Sequence, residues 1–373
     1  MNRSPNSTTK ILSGPPKAAD RTLHPDRIKE LTLLGLIALA VIVFGLVIDG
    51  YFSGRFFNRV STSVVVVVIL AAAQSLVIIS RNVDLSVGSI VGVAAYLTAD
   101  FLQNNSGANP LVAVLIAVAV GAVLGSVNGL LVAYGGVPAI IVTLGTLALF
   151  RTLVSLYSGG SNVTADALPD WVIELNASTI VSGGGFDMRT TFAVAIVVIL
   201  VLQWLLARMR WGRRLYAIGS NPEAAAQAGI PAKRLVLWSF MGSGALAGLA
   251  GFMFMVRVGT ISATAGSGLE LESVAAAVVG GVSILGGSGT VLGAFLGAVL
   301  IDTLRLSLVR VPQVSEFWRD AVLGVLVLLS VIADGLLTRR LSRRAAEQRA
   351  VHPDTTADTS ERPPTTSQEA IRA

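Results

Sequence analysis

Few groups in this chain could do chemistry. Asp84, in the stretch Arg81-Asn82-Val83-Asp84-Leu85-Ser86, is a carboxylate between two apolar runs. At mid-membrane an ionisable side chain costs about 2.5 to 3.5 kcal/mol and demands compensation. Two roles suit it. The carboxylate can cap the next helix by accepting N–H bonds from around Ser86 and Val87, or it can border a polar route through the membrane. Gln74, Asn82, Ser86, Asn128, Thr143 and Thr146 also lie in or beside apolar runs. Each can line a weakly binding pathway or satisfy a neighbouring helix. Glu270 and Glu272 precede a short apolar run and suit a helix N-terminus. Arg151, Asp302 and Arg305 are expected near membrane ends, within reach of water. Cysteine is absent, and the two histidines, His24 and His352, fall outside the apolar region. Thiolate zinc sites, cysteine nucleophiles and His-centred catalysis are thereby excluded. No catalytic, cofactor or metal site is expected.

A different kind of element occupies residues 219 to 231, GSNPEAAAQAGIP. Asn221 suits an N-cap and Pro222 the first helical position, where a missing N–H costs nothing. Glu223 falls in the first turn, Ala224 to Ala226 are strong helix formers, and Gly229-Ile230-Pro231 is a stop signal. The spacing predicts a helix of about two turns, too short to be stable alone. It either joins two spans as a surface helix or docks a partner.

The elements that must hold these groups are membrane helices. The chain of 373 residues is 53% hydrophobic and 13% charged, far from the balance of a soluble domain. Apolar runs at 31–48, 61–80, 110–133, 138–157, 190–207 and 235–256 are each long enough to span. Shorter or glycine-broken runs at 86–102, 272–285, 290–309 and 321–334 raise the expectation to about ten transmembrane helices in an all-α polytopic bundle. The run 31–48 is followed by Asp49-Gly50-Tyr51 and reads as a retained anchor, not as a cleaved leader. Basic residues gather in the N-terminal tail, in the 208–234 loop and at Arg339, Arg340, Arg343 and Arg344, whereas 158–189 holds four acids against Arg189. The positive-inside rule then places both termini in the cytoplasm and 158–189 outside. The same distribution accounts for the net charge of +6 without nucleic acid. The tails, 1–30 and 336–373, are rich in Pro, Ser, Thr and charge and are expected to remain largely disordered around a 31–335 membrane domain. Gly121, Gly125 and Gly129 repeat at G-x-x-x-G spacing, Gly244, Gly248 and Gly251 follow on another helix, and tight packing inside one subunit is the expected use. Gly88-Ser89-Ile90-Val91-Gly92 and Gly289-Thr290-Val291-Leu292-Gly293 form a weak internal echo of the kind found in transporter repeats.

Three stretches carry a family resemblance. Glu223-Ala224-Ala225 with Gly229 resembles the EAA-type cytoplasmic loop of ATP-binding cassette (ABC) importer permeases, in which a short helix sits in a cleft of the ATPase. Residues 81–89, RNVDLSVGS, look like the signature of the ribose/xylose/autoinducer-2 class of monosaccharide permeases. The run 266–289 is similar to that class's G-x-G-x-E-L glycine-rich stretch. Arg81-Asn82 and residues 138–151, PAIIVTLGTLALFR, look closest to autoinducer-2 and rhamnose permeases.

The resemblance implies a multi-pass permease of the bacterial cytoplasmic membrane that imports a monosaccharide or similar polyol. Glu223, Ala224, Ala225 and Gly229 would couple it to the ATPase. No G-x-x-x-x-G-K-[ST] occurs, so ATP and Mg are expected on that separate ATPase chain. An extracytoplasmic sugar-binding protein or lipoprotein would deliver the solute, a second copy or sister permease would complete the pathway, and lipid would surround it. An ion-driven secondary transporter is the competing expectation. It needs titratable clusters inside the bundle, where Asp84 and Asp302 stand almost alone.

Overall fold

The computed structural model describes residues 25–183 and 186–311, with single helical positions at 318, 321, 324, 325, 328 and 332. The expected passage at 321–334 and most of both tails lie outside the described residues. The described residues are mostly helical, in the order α1 (Pro25–Val47), α2 (Gly54–Ile79), α3 (Val87–Asn104), α4 (Pro110–Ala133), α5 (Ala139–Ser158), α6 (Asp170–Ala177), α7 (Thr190–Arg208), α8 (Arg210–Ser220), α9 (Pro222–Gln227), α10 (Ala232–Val258), α11 (Leu269–Val279) and α12 (Val291–Leu308). Among the described residues seven of these, α1, α2, α4, α5, α7, α10 and α12, are long and apolar enough to cross a membrane. The all-α expectation needs one amendment. β1 (Thr179–Gly183) and β2 (Phe186–Arg189) pair antiparallel, and Val163 bridges to Ile261.

Helix α2 is the axis of the bundle. Its run Val64–Ala73 is apolar on every face, and a helix that is apolar all round must be buried. It is enclosed by α10, α12, α11 and α7, and 94% of its apolar window is shielded from solvent. On α4, α5 and α7 the large apolar side chains point outward instead, with Leu115, Val123, Ile141, Leu153, Val197 and Leu200 all exposed, as suits lipid contact.

The glycine repeats pack helices within the subunit. A Cβ on Gly125 would approach Gly244 Cα to 2.9 Å, and one on Gly248 would lie 2.8 Å from the Ala117 carbonyl carbon. Backbone therefore meets backbone along the α4–α10 seam, which only small residues allow. The internal echo is out of register. Gly88 lies two residues after the α3 N-cap Ser86, whereas Gly289 lies one residue before the α12 N-cap Thr290.

Helix α11 departs from the expected passage at 272–285. It has 11 residues, about 16 Å of helix, too short to cross alone. Turns and bends at 259–268 precede it, and Gly280-Gly281 ends it. Its two acids behave as the dipole argument requires. Glu270 accepts from Gly268 N at 3.1 Å, and Glu272 receives both bonds from Arg305, at 2.9 and 2.8 Å. The 158–189 segment lies at the other end of the bundle from α8 and α9. Asn58 at the start of α2 holds it, donating to Asp187 Oδ2 at 3.2 Å and accepting from Asp187 N at 2.8 Å.

Candidate functional site

The 208–234 connection is more structured than a loop. Helix α8 buries Gly212, Leu215, Ile218 and Gly219 and exposes Arg210, Arg213 and Arg214. The same arginines that mark topology in the sequence also form the polar face of an amphipathic helix. Helix α9 follows at once. Asn221 Oδ1 accepts from Ala224 N at 3.0 Å, Pro222 occupies the first turn, and Gly229 at φ +70° closes the helix while Ile230 N bonds to Ala225 O at 3.0 Å. This is the predicted capped helix, with six residues in place of two full turns. Glu223, Ala224 and Gly229 are exposed, whereas Ala225 is buried against the bundle. The helix thus has an inner anchor and a free outer face.

The end of α8 is fastened to the end of α2. Arg81, with φ +65° the one non-glycine residue at positive φ among those described, donates from Nε to Gly219 O and from Nη2 to Ser220 O at 2.9 Å. The α11–α12 loop closes the junction. Gly287 N donates to Ile79 O at 2.9 Å, and Tyr216 Oη donates to Gly289 O at 2.7 Å. Gly219 has no room for a side chain, because a Cβ there would fall on Ile79 O and 2.5 Å from Gly287 N. No sequence signal singled out Arg81 as a link between elements 138 residues apart.

Beyond the junction lies a buried polar network. Asp84 Oδ1 accepts from Ser86 N at 2.9 Å and from Ser86 Oγ at 2.6 Å, as the capping role predicts. Asn128 Nδ2 donates to Ser86 Oγ at 2.7 Å, and Gln74 Nε2 donates to the Asp84 carbonyl at 2.5 Å. Four of the candidate pathway residues, from α2, the 80–86 turn and α4, are therefore brought together with no exposed surface. Thr143 reaches the Val83 carbonyl at 3.4 Å but bonds mainly to Ala139 O at 2.8 Å, and Thr146 bonds within α5. Asn82 turns back to Ser80.

Gln74 Oε1, Asp84 Oδ2 and Asn128 Oδ1 are buried without a hydrogen-bond partner among the described residues. A network with surplus acceptors accommodates an extra donor better than it survives losing an acceptor. Asp84→Asn is therefore expected to leave expression and melting temperature near those of the parent, while Asp84→Leu lowers the melting temperature. Thermal unfolding of the purified variants in detergent checks this, and equal losses in both would remove the capping role.

Of the three residues expected within reach of water, Arg305 keeps 37% of its side-chain surface accessible and Arg151 is half-buried, whereas Asp302 is buried. Arg151 turns inward, donating to Ala265 O at 2.9 Å and Ser267 Oγ at 2.7 Å. Asp302 is 2% exposed. It shares a polar cavity with Arg305, in the half of the bundle away from α9. Position along an apolar run says how far a residue is from its helix end, but not which neighbours fill the space beside it.

A polytopic helical bundle with an exposed, capped helix between two spans has the build of a membrane transport subunit. The comparisons specify it. Residues 56–331 match the family described as the permease component of branched-chain amino acid transport systems, and the chain belongs to that family. It is 35% identical over 341 residues to the autoinducer 2 import system permease protein LsrC of Yersinia pestis (strain Pestoides F), covering 91% of this chain and 94% of that protein. It is likewise 35% identical over 323 residues to LsrC of Salmonella typhi, covering 86% and 90%. No solved structure matches. The protein is the multi-pass permease subunit of an ABC importer and not an enzyme; ATP hydrolysis belongs to a separate chain.

Proposed function

We propose that this permease imports a small polyhydroxylated solute, of the kind represented by autoinducer 2, ribose and rhamnose, and that α9 is the surface on which the ABC ATPase docks. The single observation that carries the coupling part is the fastening of α8 and α9 to the end of α2 through Arg81. An exposed helix bonded only to its own loop cannot move a pathway; this one is tied to the axis of the bundle. Glu223, Ala224 and Gly229 form the docking face, and Ala225 seats the helix. Closure of the ATPase would pass as a rigid-body shift from α9 to α7, α10 and the 80–86 turn. Gln74, Asn82, Asp84, Ser86, Asn128, Thr143 and Thr146 border the inner part of the route. ATP and Mg reside on the ATPase, and an extracytoplasmic binding protein or lipoprotein delivers the solute. Two permease copies, or this chain and a sister, enclose the pathway in the lipid bilayer. The membrane domain is 31–335, with about ten passages and both termini cytoplasmic, as the basic residues of α8 support.

The test is ATP-driven uptake of autoinducer 2, D-ribose, L-rhamnose and L-leucine by proteoliposomes holding the assembled importer. At least one of the first three is expected to accumulate. Glu223→Lys, which reverses a charge on the exposed face of α9, is expected to weaken co-purification of the ATPase and to lower uptake by about fivefold, the lower end of usual coupling effects. Normal uptake by this variant would remove the docking role. Accumulation driven by an ion gradient, without the ATPase chain, would replace the whole proposal with a secondary transporter.

A further inference from the structure

The cavity that holds Asp302 is absorbed by none of the elements above. Its volume is about 500 Å³, within the usual range for small-molecule sites. Ser63 of α2, Arg257 at the end of α10, Asp302 and Arg305 of α12 and the 260–269 segment line it. Ser63 lies 16 residues before Ile79, so the cavity is about 24 Å along α2 from the Arg81 junction. It occupies the half of the bundle opposite α9.

Its charged groups are underused. Among the described residues Asp302 accepts from one donor, Ser63 Oγ, at 2.5 and 2.6 Å to its two oxygens. One hydroxyl proton fills one of a carboxylate's roughly four lone-pair positions. Arg257 spends one donor, Nη1 to Ser63 O at 2.9 Å, out of the five on a guanidinium. Ser63 thus holds an acid and a base side by side, each with most of its hydrogen-bonding capacity directed elsewhere than to protein among the described residues. Inside a membrane protein such groups are costly unless they serve a polar passenger. Arg305 is paired with Glu272, which lies outside the lining, and so leaves Asp302 and Arg257 as the opposite charges that face the cavity unneutralised by other partners among the described residues.

We propose that this cavity is the outward solute site of the permease and that it takes a neutral, polyhydroxylated molecule; the inference rests on the import function given above. A hydroxyl donates to Asp302 while its neighbour accepts from Arg257, and both can do so within one solute because Ser63 holds the two side chains together. Thr260, Ser262 and Thr264 add hydroxyls on one wall, and Val66, Phe254 and Leu306 supply apolar surface for the C–H face of a ring or chain. A zwitterionic amino acid would form two full charge pairs here. A neutral polyol forms only hydrogen bonds, which suits a permease that must release what it receives.

The absence of cysteine permits a direct test. Val67→Cys reports from within the cavity and Thr264→Cys from the 260–269 wall. In the assembled importer, a membrane-impermeant methanethiosulfonate reagent applied from the side opposite the ATPase is expected to label both. D-ribose, L-rhamnose or autoinducer 2, whichever the uptake assay accepts, should slow labelling at Val67→Cys about tenfold when present at about ten times its Kd, by mass action. L-leucine should not. Adding Asp302→Asn should shift the protecting concentration upward, with Thr264→Cys labelling confirming that the cavity is still formed. Lack of labelling at both positions, lack of protection by a solute that is taken up, or protection by L-leucine alone would each overturn the site and leave the permease role standing. If none of the three polyols is taken up, the proposed function fails first and this site with it.

Discussion

Arg81→Gly is expected to uncouple the importer without weakening the fold. Arg81 holds φ +65°, a conformation costly for most side chains and freely open to glycine. Glycine at this position removes the bonds to Gly219 O and Ser220 O while relieving the backbone. Melting temperature should therefore stay level or rise, and the seam between Gly287 N and Ile79 O should persist. Uptake has a different dependence. If α9 moves the pathway through this clamp, its loss removes roughly 1 to 3 kcal/mol of coupling, and ATP-driven uptake should fall by about fivefold or more while ATP hydrolysis continues. Arg81→Lys keeps the charge but loses the fork of donors, and an intermediate loss is expected. Paired measurements of uptake and phosphate release in proteoliposomes check both variants. Uptake at the parental level in Arg81→Gly, with the protein folded, would show that force travels by another path.

Gly121→Leu is expected to prevent stable folding. A Cβ at Gly121 would coincide with the Gly244 carbonyl and stand 2.7 Å from Gly248 N and 2.8 Å from Gly248 Cα. Backbone atoms cannot rotate away as a side chain does, so α4 and α10 must separate along the seam that Gly125 and Gly248 also use. Overpacking of a well-fitted core costs about 1 to 3 kcal/mol, and more where backbone must move. Little monodisperse protein should survive extraction. Gly145→Leu is the matched control, because a Cβ there meets nothing within 4 Å and the residue is exposed on α5. The added side chain should face lipid, and glycine's helix penalty of about 0.5 to 1 kcal/mol should be relieved. Fluorescence-detected size exclusion and thermal melting distinguish the two. Equal behaviour would mean that the α4–α10 contact is looser than its glycines require.

The features legible in the sequence are those whose causes are local. Hydropathy over one turn after another decides whether a segment can enter a bilayer, and α4 begins and ends at the expected residues, 110 and 133. The caps of α9 were readable because Asn221, Pro222 and Gly229 act on backbone within a few residues of themselves. Asp84 capping Ser86 is of the same kind, acting across two positions. Even the use of the glycine repeats followed from spacing, since small residues one turn apart form a groove whatever fills it.

Tertiary structure alone decided which distant groups meet. Arg81 and Gly219, or Ser63 and Asp302 at a separation of 239 residues, share no pattern along the chain, because their distance depends on how α2 is surrounded by α8, α10 and α12. The shortness of α11 was hidden because a glycine-broken apolar run has the same composition whether it crosses or turns midway. The position of Asp302 in its run predicts reach to water, yet the residue is buried and lines a cavity inside the bundle, since burial is set by the helices alongside it and not by its distance from a helix end. Local free energies select the helices and their caps; the close packing of those helices against α2 determines where a polar space remains and which charges open onto it.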